Sequence, residues 1–170
     1  WRNLIFTVCF LHSIVQERRK FGPLGWCVPY EYNNSDLEAS LLFIEKYLNS
    51  LFSGPVYNTP NLPINWQVIQ YMVCEVQYGG RITDDLDREL FNTYGHDYLC
   101  EKVLGADHVF KEVGDKDKGI DGTRFKYKIP QGTEIQKYRE YIDTLPAIDS
   151  PEIFGLHPNA DLTFRLKESK

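Results

Sequence analysis

Residues 4–23 read Leu4-Ile5-Phe6-Thr7-Val8-Cys9-Phe10-Leu11-His12-Ser13-Ile14-Val15-Gln16-Glu17-Arg18-Arg19-Lys20-Phe21-Gly22-Pro23. Leu4, Val8, Leu11 and Val15 fall at i, i+4, i+7 and i+11, one apolar stripe of a helix with about 3.6 residues per turn. Arg18, Arg19 and Lys20 occupy the last turn, where the helix dipole favours cations, and Gly22-Pro23 does not continue a helix. The same period recurs downstream. Leu37, Leu41, Ile44 and Leu48 repeat it behind Ser35-Asp36-Leu37-Glu38, which has the S-x-x-E form of a capping box, and Gly54-Pro55 ends it. Asn65 is a good N-cap for a third helix, expected to bury Val68, Ile69, Met72, Val73 and Val76 before Gly79-Gly80. A fourth is expected from Thr83, with Asp84, Asp85 and Asp87 in its first turn and Leu86, Leu90 and Tyr94 on its apolar side. Thr133-Glu134-Ile135-Gln136 has the T-x-x-Q form and opens a fifth, with Ile135, Tyr138, Ile142 and Leu145 on one face and Pro146 at its end.

The segments between these helices are of two kinds. Phe21 to Tyr32 carries Gly22, Pro23, Gly25 and Pro29 for its turns and Phe21, Leu24, Trp26 and Tyr30 as expected anchors on the core. Residues 101–132 lose the period and predict a mobile surface loop, within which only Phe125 to Ile129 alternates as a short edge strand does. Gly54 to Pro63 is a proline-rich connection. Ser150-Pro151-Glu152 places an N-cap before proline at the first helical position of a short turn ending at Gly155. The tail from Ala160 to Lys170 fits a strand or a frayed helix start. The outline is all-α: five amphipathic helices in a bundle-like domain, with ordered aromatic and Gly/Pro loops and at most a short strand pair.

With 170 residues, 42% apolar, 25% charged and a net charge of −5, the chain has the composition of one globular domain with a substantial core. The weak acidic balance gives no general footprint for duplex nucleic acid. No stretch reaches the roughly 20 apolar residues that span a bilayer. No signal-peptide pattern is present, and the lack of Met before Trp1 suggests a piece of a longer chain. Cys9, Cys27, Cys74 and Cys100 lie too far apart for a C-x-x-C or a short Cys/His pair, so free and mostly buried thiols in a reducing cytosol are expected.

Sites of chemistry are scarce. No G-x-x-x-x-G-K-[ST] occurs, and Gly79-Gly80-Arg81 follows a helix rather than a strand and lacks the lysine, which makes it a helix end. Asp115-Lys116-Asp117-Lys118-Gly119 begins like a calcium loop, but its twelfth position is Lys126 where a bidentate Glu is required. Asp84 and Asp87 share a helix face as paired carboxylates do, yet their place at a helix start already accounts for them. His12, His96, His108 and His157 are scattered and lack the spacing of a helical zinc site. An enzyme using Asp84, Asp87 and His96 is therefore a remote alternative, and no catalytic, cofactor or metal site is legible.

The aromatic and glycine-rich stretches carry a resemblance. Glu17-Arg18-Arg19-Lys20-Phe21-Gly22-Pro23-Leu24-Gly25-Trp26, with Pro29-Tyr30-Glu31-Tyr32-Asn33 and Ser35-Asp36, closely resembles the segment after the sixth AAA+ module of dynein heavy chains. So do Tyr78-Gly79-Gly80-Arg81-Ile82-Thr83-Asp84-Asp85-Leu86-Asp87-Arg88, and Leu145-Pro146 with Ser150 to Asp161. The wording Phe10-Leu11-His12-Ser13 and Phe154 to Asp161 is most similar to axonemal, outer-arm chains. Ser53 to Pro60 and Glu101 to Arg124 depart from the family. The resemblance implies a helical lid of the sixth AAA+ module over residues 1–148 and a junction to the dynein C-terminal domain over 149–170. It implies no nucleotide or other cofactor in this segment, ATP and Mg being bound by other modules. The implied partners are the neighbouring AAA+ modules and C-terminal domain of the same chain, with no nucleic acid, membrane or direct microtubule contact, in the cytoplasm and the axoneme of a cilium or flagellum. Arg18, Arg19, Phe21, Trp26, Tyr78, Arg81 and Phe154 are the expected interface residues, forming or bracing contacts between ring modules. A stand-alone adaptor that binds partner proteins through aromatic loops is the alternative.

Overall fold

The computed structural model describes residues 1–52, 63–113 and 125–160, together with Leu162 and Leu166. The connection expected over 54–63 lies outside these residues except at Pro63, as do residues 114–124 and nearly all of the tail. Two compact units divide the chain, Trp1–Leu104 and Gly105–Lys170.

In the first unit α1 spans Arg2–Arg18, α2 Asn34–Phe52, α3 Trp66–Gln70 and α4 Asp85–Tyr98. The stripe of α1 is buried as its period requires, through Leu4, Val8, Leu11 and Val15. The helix packs against α2 and α4. The cap of α2 differs from the expected box. Asn33 is the capping residue, its Oδ1 accepting from the Ser35 amide at 3.1 Å while Asp36 Oδ2 accepts from the Asn33 amide at 3.0 Å. This is the reciprocal box displaced by two residues, N-x-x-D in place of S-x-x-E.

Asn65 caps α3 as expected, its side chain accepting from the Val68 amide. Beyond Gln70 the helix widens, and Tyr71–Gln77 is a π segment closed by the Tyr78 amide donating to Val73 O at 3.0 Å. The wider turn rotates the buried face. Ile69, Val73, Cys74 and Tyr78 point inward, whereas Val76, expected in the core on a 3.6-residue period, is exposed; Val68, also expected inside, is exposed in α3 before the π segment begins. In α4 the N-cap is Asp84 rather than Thr83, and the inward face is Asp87, Phe91, Tyr94, Gly95 and Tyr98. Tyr94 is buried as expected, but Leu86 is 70% exposed and Leu90 intermediate, because Asp87 and Phe91 take the inward positions one residue later.

The core of this unit is aromatic. Phe91 stacks on Tyr78 with ring centroids 5.3 Å apart and lies 6.3 Å from both Trp26 and Tyr32. All four rings are buried. Such pairs contribute about 0.5–1.5 kcal/mol each beyond the area they bury.

The second unit holds β1, Val109–Val113, antiparallel to β2, Phe125–Lys128, and then α5, Ile135–Asp143. The expected edge strand is present and has a partner, so parts of the stretch expected as one mobile loop are regular structure; the first unit likewise ends in a 3-10 turn, Glu101–Leu104, with Val103 fully buried. Tyr141 ties α5 to the sheet, its hydroxyl donating to Lys126 O at 2.6 Å and accepting from the Lys128 amide at 2.8 Å. The T-x-x-Q box does not form: Glu134 is the N-cap, without a side-chain hydrogen bond. Ile135 and Ile142 on the apolar face of α5 are exposed, and none of its residues is buried. Pro151–Phe154 makes the expected short 3-10 turn, closed by Gly155 at φ 69°. Ala160 is helical, the frayed-helix alternative for the start of the tail. Five α-helices and one strand pair among the described residues make the all-α fold.

Candidate interface and its internal clamp

Arg18 closes α1 with its side chain turned inward, only 4% exposed. Nε donates to Gly25 O at 2.9 Å and Nη1 to the Tyr94 hydroxyl at 2.8 Å. The guanidinium carbon stands 5.6 Å from the Trp26 ring centroid and 5.8 Å from that of Tyr94. A buried cation is costly unless hydrogen-bonded, and these acceptors and π faces supply that compensation. Glycine is required at position 25 because a Cβ there would stand 1.8 Å from Arg18 O.

The loop is fastened at further points. Trp26 Nε1 donates to Val15 O at 3.0 Å. The Asp87 carboxylate, reaching over from α4, accepts from the Cys27 amide at 3.0 Å and the Val28 amide at 3.3 Å. The Tyr30 hydroxyl accepts from the Asp84 amide at 3.0 Å. Residues 18–30 are thereby pinned to both α1 and α4.

A second polar centre joins α2 to the turn after the π segment. Asp36, almost fully buried, accepts from Arg81 Nε at 2.7 Å. Arg88 Nη2 donates to Ile82 O at 2.5 Å, holding the same turn from α4. His12 Nδ1 and the Tyr78 hydroxyl are 2.8 Å apart. Desolvation lowers the His12 pKa, with Asp36 opposing and Arg19 assisting. Burial raises the Tyr78 and Tyr32 phenols and pushes the Cys74 thiol up to about 12.

The expected interface residues separate into two groups. Arg18, Trp26 and Tyr78 are buried in the first unit and Phe154 in the second, so their side chains do not lie on the exposed surface of the described residues. Arg19 is exposed, Phe21 half-buried, and Arg81 keeps 42% of its side chain in solvent while bound to Asp36. Leu24, expected as an anchor, is 50% exposed, because the loop turns it away from the core that Trp26 and Tyr30 enter. Trp26, Tyr30, Tyr78 and Phe154 are buried, so these rings are not the exposed aromatic loops that the adaptor alternative calls for. Asp87 as loop anchor was hidden in the sequence, since its partners lie about sixty residues upstream.

Cys27 Sγ and the carboxylates of Asp84 and Asp87 have ligand atoms within 4.8 Å of one another. Both carboxylates already accept backbone amides, Asp84 those of Leu86 and Asp87 and Asp87 those of the loop. Hydrogen bonding to Asp87, then desolvation, raises the Cys27 thiol, which is the opposite of a free thiolate ligand. His96 sits in the last turn of α4 beside Glu75 and Asn92, at the far end from Asp84 and Asp87, so the three residues of the enzyme alternative do not meet. The four cysteines are free as expected, but only Cys74 is buried, Cys9 and Cys100 being intermediate and Cys27 exposed. No helix among the described residues is long and apolar enough to cross a membrane.

The clamp is built from the stretches that carry the resemblance, and comparison with known families agrees: the model for the dynein heavy chain AAA lid domain matches residues 1–160. The chain belongs to this dynein lid family. Among its relatives, the dynein gamma chain of the flagellar outer arm of Chlamydomonas reinhardtii is 45% identical over 166 residues, 97% of this chain and 3% of that one. Dynein axonemal heavy chain 5 of Mus musculus is 42% identical over 170 residues, all of this chain and 3% of the relative. Dynein axonemal heavy chain 8 of Homo sapiens is 42% identical over 167 residues, 97% of this chain and 3% of the relative. The lid thus corresponds to about 3% of the length of the heavy chains it matches.

Proposed function

We propose that this chain is the non-catalytic lid of the sixth AAA+ module of an axonemal dynein heavy chain, in a microtubule motor of the cilium or flagellum. The observation that carries the proposal is the family match across residues 1–160, which takes in a helical first unit, Trp1–Leu104, whose loop is pinned by buried polar contacts. That first unit moves as one piece, so displacement of a neighbouring module is passed on by hinge and shear motion rather than absorbed within it. ATP and Mg act in other modules of the parent chain, and the lid's partners are the adjoining modules and the C-terminal domain. Residues 149–170 lead into that domain, and the family model stops within them.

Cross-linking mass spectrometry of the heavy chain carrying this segment, with and without ATP, tests the proposal. Exposed Lys20, Lys46 and Lys102 are expected to link to adjoining modules, with intermodule links changing between states and links within the lid unchanged. The absence of any link from the lid to another module would refute it.

A further inference from the structure

Arg19, Gly22, Pro23, Trp26, Cys27 and Pro29 line a pocket of about 230 Å³ that the internal clamp leaves open. An engineered apolar cavity of about 150 Å³ admits benzene, so this one has room for a large apolar side chain. The shape is preformed. Arg18 holds the carbonyl of Gly25, Val15 O holds the Trp26 indole and Asp87 holds the amides of Cys27 and Val28, so an incoming group does not have to order the loop. Gly22 sits at φ 55° with nothing within 4 Å of a Cβ built there, so backbone conformation rather than crowding selects glycine.

Among the described residues the charge at the pocket is uncompensated. Arg19 is exposed, and its hydrogen bond is a long one from Nε to Gln16 O at 3.4 Å. Among the described residues no carboxylate pairs with it, whereas neighbouring Lys20 pairs with Glu17. The acids behind Cys27 are engaged with backbone amides. Half-exposed Leu24 and exposed Val28 add apolar surface on the same loop. A preformed apolar pocket with a free guanidinium at its wall fits a partner that inserts one anchor side chain and brings a carboxylate to the arginine.

We propose that this pocket docks an acidic protein segment of the same heavy chain, which inserts one large apolar side chain beside Arg19. The proposal rests on the lid function above and assigns one of its contacts. The probe is 3-phenylpropanoate, compared with its uncharged amide by ¹⁵N NMR of the 170-residue chain. Saturable shifts are expected at the Trp26 indole and the Gly22 and Cys27 amides, with the amide probe about fivefold weaker, as one exposed charge-assisted contact of about 1 kcal/mol gives. Arg19→Gln, at an exposed position, is expected to erase that difference. Unshifted Trp26 and Gly22 signals, or a preference for the carboxylate that survives R19Q, overturn the proposal.

A photo-crosslinker at Leu24 in the intact heavy chain then identifies the source. An adduct on an acidic stretch of the same polypeptide supports the proposal. Adducts only elsewhere, or none while Lys46 still links to an adjoining module, overturn it and leave the lid function standing. Loss of every lid cross-link overturns both.

Discussion

Gly95 in α4 faces Cys74 in the π segment, and a Cβ at position 95 would stand 2.4 Å from Cys74 Sγ but 3.5 Å from Cys74 Cβ. Gly95→Ala therefore has two opposed effects. Replacing a helical glycine by alanine contributes about 1 kcal/mol. Forcing a methyl group into a filled core costs about 1–3 kcal/mol. The single substitution should be neutral to destabilising by about 2 kcal/mol. Cys74→Ala removes the sulfur at a buried position and should itself cost about 1 kcal/mol, comparable to one buried methylene. In that background the new methyl occupies the space the sulfur left and meets only Cβ at ordinary contact distance. G95A should then stabilise, giving a favourable coupling of about 1–3 kcal/mol between the two sites. Urea denaturation of the four proteins measures it, read from midpoints at constant m-value. If Tyr71–Gln77 continued as an ordinary α-helix, Cys74 would turn away from Gly95. G95A alone would then stabilise by about 1 kcal/mol, and additive effects of the two substitutions would refute the π geometry.

Three further outcomes are expected. Arg18→Met keeps the apolar stem but leaves Gly25 O and the Tyr94 hydroxyl without their charged donor; a loss of about 2–4 kcal/mol in urea is expected, and a loss under about 1 kcal/mol would deny the clamp its role. His12 has a folded-state pKa below its ordinary 6.5, so the native state binds fewer protons than the unfolded one. Its contribution to stability is present above pH 6.5 and is lost as the pH falls below that value towards and through the lower folded-state pKa, because the buried ring must gain a charge. His12→Gln should flatten the fall in stability between about pH 7 and pH 5, and an unchanged slope would place the acid sensitivity elsewhere. Asp84→Asn keeps the N-cap but removes one of the charges that raise the Cys27 thiol, so iodoacetamide should label Cys27 faster at neutral pH, while buried Cys74 stays unlabelled in the native protein. An unchanged Cys27 rate would contradict the electrostatic account.

The helices of the first unit were legible because period and punctuation agree in them. Leu4, Val8, Leu11 and Val15 name the buried side of α1, and Asn65 marks the start of α3 correctly. The errors arise where one local rule is offered to two residues, or where the period changes. Asn33 and Ser35 both suit an N-cap, and Asp36 decides for Asn33 because its carboxylate reaches that amide while also taking Arg81 from a distant turn. The π segment moves burial from Val76 to Cys74 and Tyr78, and a template of about 3.6 residues per turn has no means of showing this. The partner strand β1 was hidden because Val109-Phe110-Lys111-Glu112-Val113 does not alternate, and its ladder with β2 is irregular between Val109 and Lys111.

The site was legible as a set of stretches and not as a surface. The run from Arg18 to Trp26 is conspicuous, but residue type does not tell an arginine that faces solvent from one that faces the core. Arg18 and Arg19 are neighbours with opposite fates, decided by acceptors that the sequence places far away: Tyr94 takes the first, and nothing comparable among the described residues meets the second. Arg18 on its own lacks a reason to be buried, and Gly25, Trp26 and Tyr94 together provide one. The same contacts that consume Arg18 hold the loop in the shape that leaves Arg19 at an open apolar pocket. The rigid loop and the unpaired cation are thus two results of one arrangement. A substitution that frees the loop, such as R18M, should weaken binding of 3-phenylpropanoate at the Arg19 pocket even though Arg18 does not line it. Unimpaired binding in folded R18M protein would separate the two and show that the pocket does not depend on the clamp.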